Sequence, residues 1–134
     1  KVMMSRENFD ALILVKDIMS KAIISVNTET TVFQIAKMME QSGIGAILVK
    51  KNNNLVGIIT DRDFATKIAS NSLSFDTPVE KVMSSPLITI NHNESISAAA
   101  KRMTSKKIRK LAVTDNGDIV GLITSTDLVT QLTK

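Results

Sequence analysis

The sequence predicts an α+β fold made of two copies of one β-α-β-β-α unit. Three observations carry this. Positions 15–68 align with positions 79–132 at a constant offset of 64 (79 − 15) without a gap, and about 17 of roughly 54 aligned pairs are identical. Each copy alternates short β-type runs with a helical stripe of apolar residues. Each copy also closes on the same phrase, Val56-Gly57-Ile58-Ile59-Thr60-Asp61-Arg62-Asp63 in the first and Val120-Gly121-Leu122-Ile123-Thr124-Ser125-Thr126-Asp127 in the second. A duplicated unit places two equivalent surfaces in one molecule. A polar signature duplicated with it implies two equivalent sites.

The elements follow in order. Ile23-Ile24-Ser25-Val26 and Leu87-Ile88-Thr89-Ile90 are short β-type runs, each followed by a polar turn. Thr30, Thr31 and Ser95 are candidate N-caps, and Thr31 with Gln34 fits a capping box. The helices that follow carry Val32, Ile35, Ala36 and Met39, copied as Ile96, Ala99, Ala100 and Met103, the spacing of a helix buried on one face. Gly43 is a natural stop for the first helix. Lys107 occupies that place in the second, so a differently built stop is expected there.

Two further strands come next, Ala46–Val49 with Leu55–Ile59 and Leu111–Val113 with Ile119–Ile123. The second pair is joined through Asn116-Gly117, a strong hairpin signal. A closing helix starts at Asp61 and at Ser125, capped by Thr60 and Thr124. The resulting partition is an N-terminal extension at 1–14, a first repeat at 15–69, a linker at 70–78 and a second repeat at 79–134. In the extension, Phe9, Leu12 and Ile13 suit a short amphipathic segment packed on the body.

Composition narrows the function classes. One copy is close to the lower size limit for an independent core, so the halves are expected to share burial. The chain has 134 residues, 43 % of them hydrophobic, and no cysteine, which excludes disulfides and thiol chemistry. No apolar run reaches the length of a membrane span, and a cytoplasmic protein with no membrane partner is expected. The net charge of +4 has one dense cluster, Lys106, Lys107, Arg109 and Lys110. With four Phe and no Trp or Tyr, the stacking platforms of single-strand binders are missing, and nucleic acid is disfavoured as the main ligand. His92 is the single histidine and sits in a polar turn, which suits a surface role. No Ser-His-Asp set, metal-ligand cluster or phosphate-cradling Gly-rich loop is visible, so no catalysis and no required cofactor are expected.

The duplicated Gly-apolar-apolar-Thr-x-x-Asp, preceded by a β-α-β hairpin, resembles the CBS domain, the module first described in cystathionine β-synthase, whose tandem pair is called a Bateman module. Val15-Lys16-Asp17-Ile18-Met19 and Val79-Glu80-Lys81-Val82-Met83 open the repeats as in that family, and Ile44-Gly45-Ala46-Ile47-Leu48-Val49 is similar to its second strand. Thr60-Asp61-Arg62-Asp63-Phe64-Ala65-Thr66-Lys67 resembles small stand-alone prokaryotic pairs. The family often has Pro where this chain has Leu48 and Ala112, a difference an ordinary strand tolerates. The resemblance implies sheet-to-sheet packing of the halves about a pseudo-twofold axis and two clefts that hold adenine nucleotides. It also implies a homodimer and a downstream protein that the sequence does not name.

Asp63 and Asp127 are the expected ribose ligands, because an ionised carboxylate accepts both hydroxyls of a cis-diol. From the residues alone a second reading stays open, in which both only decorate helix starts. Thr60, Arg62, Thr124, Arg109 and Lys110 are the expected phosphate ligands, with free N–H groups of the closing helices beside them. By the resemblance, Ala22, Ile24, Ile44, Gly45 and Ala46 line the adenine cleft of Asp127. Pro86, Ile88, Ile108, Arg109 and Lys110 line that of Asp63. For the isoleucines, plain core is an equal alternative. The Arg109 and Lys110 side chains are assigned to phosphates at Asp127, or else form a solvated helix end. The first repeat has Gly45-Ala46 there, with Arg62 and Lys67 as partial compensation. Unequal sites are therefore expected, the Asp127 site binding AMP, ADP or ATP more tightly. The alternatives are a dimerisation module without ligand and a regulatory piece of a larger protein.

Overall fold

The computed structural model describes residues 13–133, and Phe9 and Leu12 lie outside that range. Residue contacts divide the chain into two units, Ile24–Leu87 and a second formed by the chain up to Ile23 together with Ile88 onward. Each has a three-stranded sheet, and the two are built alike.

In the Ile24–Leu87 unit, β1 (Ser25–Asn27) leads through helix α2 (Val32–Ser42) to β2 (Ala46–Lys51), which runs parallel to β1. Antiparallel β3 (Asn54–Thr60) completes the order β1-β2-β3. Thr31 and Gln34 form the expected capping box, and Gly43 ends the helix in the left-handed region at φ 70°. The hairpin is tighter than expected. Asn52 and Asn53 alone make the turn, both at positive φ, a conformation asparagine tolerates. After Thr60, one helical turn α3 (Asp61–Asp63) widens into a π-helix over Phe64–Ala69. Its core holds Val26, Val32, Ile35, Ile47, Val49, Ile59 and Ile68, together with Val79 and Val82.

The second unit repeats the plan with β4 (Thr89–Asn91), α4 (Ile96–Lys106), β5 (Lys110–Asp115), β6 (Asp118–Thr124) and α5 (Ser125–Leu132). Ser95 caps α4, and Asn116-Gly117 makes the turn at φ 51° and 84°. Its core holds Ile90, Ile96, Ala99, Met103, Leu111, Val113 and Ile123, together with Val15. Val15 opens helix α1 (Val15–Ile18).

Two expectations are corrected. The first strand of each repeat starts later than the β-type run, at Ser25 and Thr89, although the carbonyls of Ile24 and Ile88 still accept from Leu48 and Ala112 of the neighbouring strand. The stop after α4 is not built differently from the first. Lys107 takes the left-handed position at φ 56° and its N–H bonds the Met103 carbonyl, as Gly43 does with Met39.

The packing of the opening segments was not predicted. Val79, Val82 and Met83 open the second repeat in sequence, yet they pack in the core that contains β1–β3. Val15, Ile18 and Met19 open the first repeat, yet they pack with β4–β6. Each segment docks on the free edge of the closing strand. Ser84 and Ile58 exchange two backbone hydrogen bonds, and so do Ser20 and Leu122. The signature glycines explain why. A Cβ on Gly57 would meet Met83 Sδ at 2.6 Å and the Ser84 carbonyl at 3.0 Å. One on Gly121 would meet the Ser20 carbonyl at 2.6 Å and Met19 Sδ at 3.0 Å. Only hydrogen fits in either place unless these neighbours shift, and at Gly121 the nearest of them is backbone.

Candidate functional site

Strand β3 ends at Thr60 in extended conformation, and the chain turns at once into α3, which brings Asp63 back over Thr60. Asp63 Oδ2 accepts from the Thr60 amide (2.8 Å) and hydroxyl (3.3 Å). The residue is only 8 % exposed. Strand β6 and α5 reproduce this arrangement, with Asp127 Oδ2 accepting from the Thr124 amide at 2.9 Å and hydroxyl at 3.2 Å. In both, threonine holds one carboxylate oxygen and so fixes the direction of the other.

The outer oxygens differ. Asp63 Oδ1 is 3.4 Å from the Lys67 ammonium. That ammonium also donates to the Val82 carbonyl (3.0 Å) and to Ser84 Oγ (3.1 Å). The copy has Gln131 in place of Lys67. Among the described residues nothing donates to Asp127 Oδ1.

Ala46 is paired with Thr60, and Lys110 with Thr124, so the start of the second strand lies beside the Thr-x-x-Asp phrase of its own repeat. The Gly45 carbonyl accepts from the Asp61 amide, and the Arg109 carbonyl from the Ser125 amide. The expectation of freely available helix N–H groups is thereby corrected in part. The first amide is spent on the second-strand start, the Arg62 amide on Asp61 Oδ1, and the Asp127 amide on Thr124 Oγ1. In the first repeat, Asp61 also stands where Gly45 would carry a side chain, with Oδ2 3.0 Å from an ideal Cβ. The second repeat has Ser125 and Arg109 in those places. A carboxylate faces the strand start in one copy, and a cation stands there in the other.

The structure gathers Ile24, Ile44, Gly45, Ala46, Thr60, Arg62, Asp63 and Pro86 in one unit. Ala22, Ile88, Ile108, Arg109, Lys110, Thr124 and Asp127 fall in the other. Arg62 and Arg109 are exposed, and Lys110 is half-buried. Sequence reasoning missed the clash geometry of Asp61 and the part played by Ser84. It named Lys67 only as a loose cation, although its spacing of four from Asp63 is an ion-pair signal on a helix. His92 Nε2 lies 3.3 Å from Asp115 Oδ1 at the edge of its turn. Among the described residues no group of acidic, His or Cys side chains could hold a metal ion, and no helix is long and apolar enough to cross a membrane.

Sheet order, duplicated Thr–Asp cups and glycine-spaced edges together define a tandem α+β repeat fold, and the chain belongs to the CBS domain family: the family profile matches twice, at 15–70 and 79–134. Among curated proteins it is 35 % identical over 114 residues to the CBS domain-containing protein YhcV of Bacillus subtilis, covering 85 % of this chain and 81 % of that one. Other relatives are longer, and the chain spans as little as 19 % of them. Among solved structures, an uncharacterised conserved protein of Pyrococcus horikoshii superposes with a TM-score of 0.87 at 28 % identity, covering 93 % of this chain and 96 % of that one. The CBS domain pair of protein MJ0100, in complex with 5′-methylthioadenosine and S-adenosyl-L-methionine, superposes with a TM-score of 0.79 at 30 % identity, covering 90 % and 95 %.

Proposed function

We propose that this chain is a non-catalytic, cytoplasmic regulatory module that binds an adenosyl ligand, AMP, ADP, ATP or a relative of them, through its ribose. The observation that carries the reading is the duplicated cup in which Thr60 or Thr124 pins one oxygen of Asp63 or Asp127. A carboxylate fixed in this way presents its other oxygen, whose two lone pairs are preset for a cis-diol. A deoxyribose would leave one acceptor position unpaired, so ribose is selected. The adenosyl compounds bound to the MJ0100 pair, a protein of the same fold, support the ligand class.

The sites are unequal in this reading. Arg109 and Lys110 stand beside Thr124 and Asp127 and serve phosphate there, while Asp61 opposes phosphate near Asp63. Two charge-assisted hydrogen bonds of about 1.5–3 kcal/mol each, with a buried base, bring the Asp127 site into the micromolar range of about −8 kcal/mol. A thermal-shift panel with AMP, ATP, S-adenosylmethionine and NADH tests the class. Stabilisation by at least one of them is expected, and no shift with any at millimolar concentration sinks the reading.

A homodimer is part of the proposal. Phe33 (51 % exposed) and Phe75 (70 % exposed) lie with ring centroids 6.2 Å apart and form an apolar surface patch. Sedimentation velocity of the wild-type chain and of Phe75→Ser tests it, with loss of the dimer expected in the variant.

A further inference from the structure

We infer that Lys67 is a built-in competitor for the ribose of the first repeat, and that it ties occupancy of Asp63 to the segment Val82–Ser84. This rests on the ribose role proposed for Asp63. An ammonium has three donors. Lys67 donates to the Val82 carbonyl and to Ser84 Oγ, and its charge stands 3.4 Å from Asp63 Oδ1 as an ion pair. Asp63 Oδ2 is already committed to Thr60. A cis-diol that binds Asp63 must therefore take Oδ1, the oxygen Lys67 holds. Ligand binding displaces the ammonium from one of its three anchors.

The other two anchors lie on the segment that docks against Ile58 and fills the core beside Gly57. Loosening Lys67 loosens that segment. The second repeat has no such link. Gln131 replaces Lys67, and Asp127 Oδ1 has no donor to displace among the described residues. One repeat is thus built to bind, and the other to bind less tightly and to transmit.

The test uses the full chain and two readouts. Without ligand, Lys67→Gln, which installs the residue of the other repeat, is expected to raise amide hydrogen exchange at Met83 and Ser84 severalfold, with exchange at Met19 and Ser20 unchanged. Unaltered exchange at Met83 and Ser84 overturns the tie to the segment. With adenosine, calorimetry is run on Asp127→Ala, which isolates the first site, with and without Lys67→Gln. The double variant is expected to bind about fivefold more tightly, the factor of a partly exposed ion pair of about 1 kcal/mol. The reciprocal Gln131→Lys is expected to weaken the second site by a similar factor. Equal affinities, with binding at Asp127 intact in the wild type, overturn this inference alone. Absence of adenosine binding in every variant overturns it together with the nucleotide reading.

Discussion

Replacing Gly121 by alanine tests the edge docking of the opening segment. The added methyl would lie 2.6 Å from the Ser20 carbonyl oxygen and 3.0 Å from Met19 Sδ. The sulfur can swing away, but the carbonyl is backbone and is held by the Leu122 amide at 2.9 Å, while Ser20 donates back at 2.8 Å. Relief requires the segment to move off β6. Overpacking of this kind costs about 1–3 kcal/mol, and each weakened backbone hydrogen bond adds about 1 kcal/mol. A loss of about 3 kcal/mol is expected, or about 10 °C in Tm for a chain of this size. Gly57→Ala is milder, at about 1–2 kcal/mol, because its shortest contact is the flexible Met83 sulfur. Gly43→Ala is the control. Nothing lies within 4 Å of its Cβ position, and only the left-handed φ of 70° is strained, a cost of about 1 kcal/mol. Urea denaturation of the three variants reads the order directly. If Gly121→Ala costs no more than Gly43→Ala, the segment does not pack on β6 and the interleaved arrangement is wrong.

Further outcomes follow from single contacts. Lys107→Gly relieves a left-handed lysine and is expected to add about 0.5–1 kcal/mol to stability in the same denaturation assay. Glu94 is hydrogen-bonded and ion-paired to Arg102 at 3.0 Å. That hydrogen bond chiefly lowers its pKa from 4.5. Its contribution is therefore fully present above the unfolded value and disappears as pH falls through the lowered one. The pair is about a third exposed, so at most about 1 kcal/mol is at stake. A pH series of Tm should show the wild type losing that increment as pH falls below about pH 5, and no such loss in Arg102→Ala. Arg109→Ala is expected to weaken ATP by about tenfold and adenosine hardly at all, measured by calorimetry. Equal losses for both would place Arg109 away from the phosphates.

Much of this fold was written locally. Thr31 and Gln34, Gly43 and Asn116-Gly117 each act through neighbours within a few residues, so their geometry follows from sequence spacing. The closing phrase was legible for the same reason, since Asp three residues after Thr accepts from the Thr amide in both copies, although only Thr124 also caps its helix with its own hydroxyl. The opening segments were not legible, because a duplicated sequence says which residues correspond and not which copy they pack against. Val79 and Val82 are apolar in either arrangement. The reason for Gly57 and Gly121 was hidden with them, because it lies in a distant carbonyl and sulfur. Lys107 misled for another reason: helix-end geometry was read from residue type, while the chain accepts a strained lysine there. The first strands began later than the apolar runs because Ile23 and Ile24 precede the parallel pairing of Ser25 with Leu48.

At the candidate site, the two carboxylates and their threonines were readable, and the inequality between them was readable in part. Gly45-Ala46 against Arg109-Lys110 is a difference in plain sight. The ion pair of Lys67 with Asp63 and the position of Asp61 over Gly45 add to it, and both needed three-dimensional contacts to assess.

Calorimetric titration of AMP into the wild type, Asp63→Ala and Asp127→Ala tests the central claim most directly. The account predicts micromolar binding in the wild type, retained in Asp63→Ala and reduced at least tenfold in Asp127→Ala. Undiminished binding in Asp127→Ala, or equal loss in both variants, would contradict it.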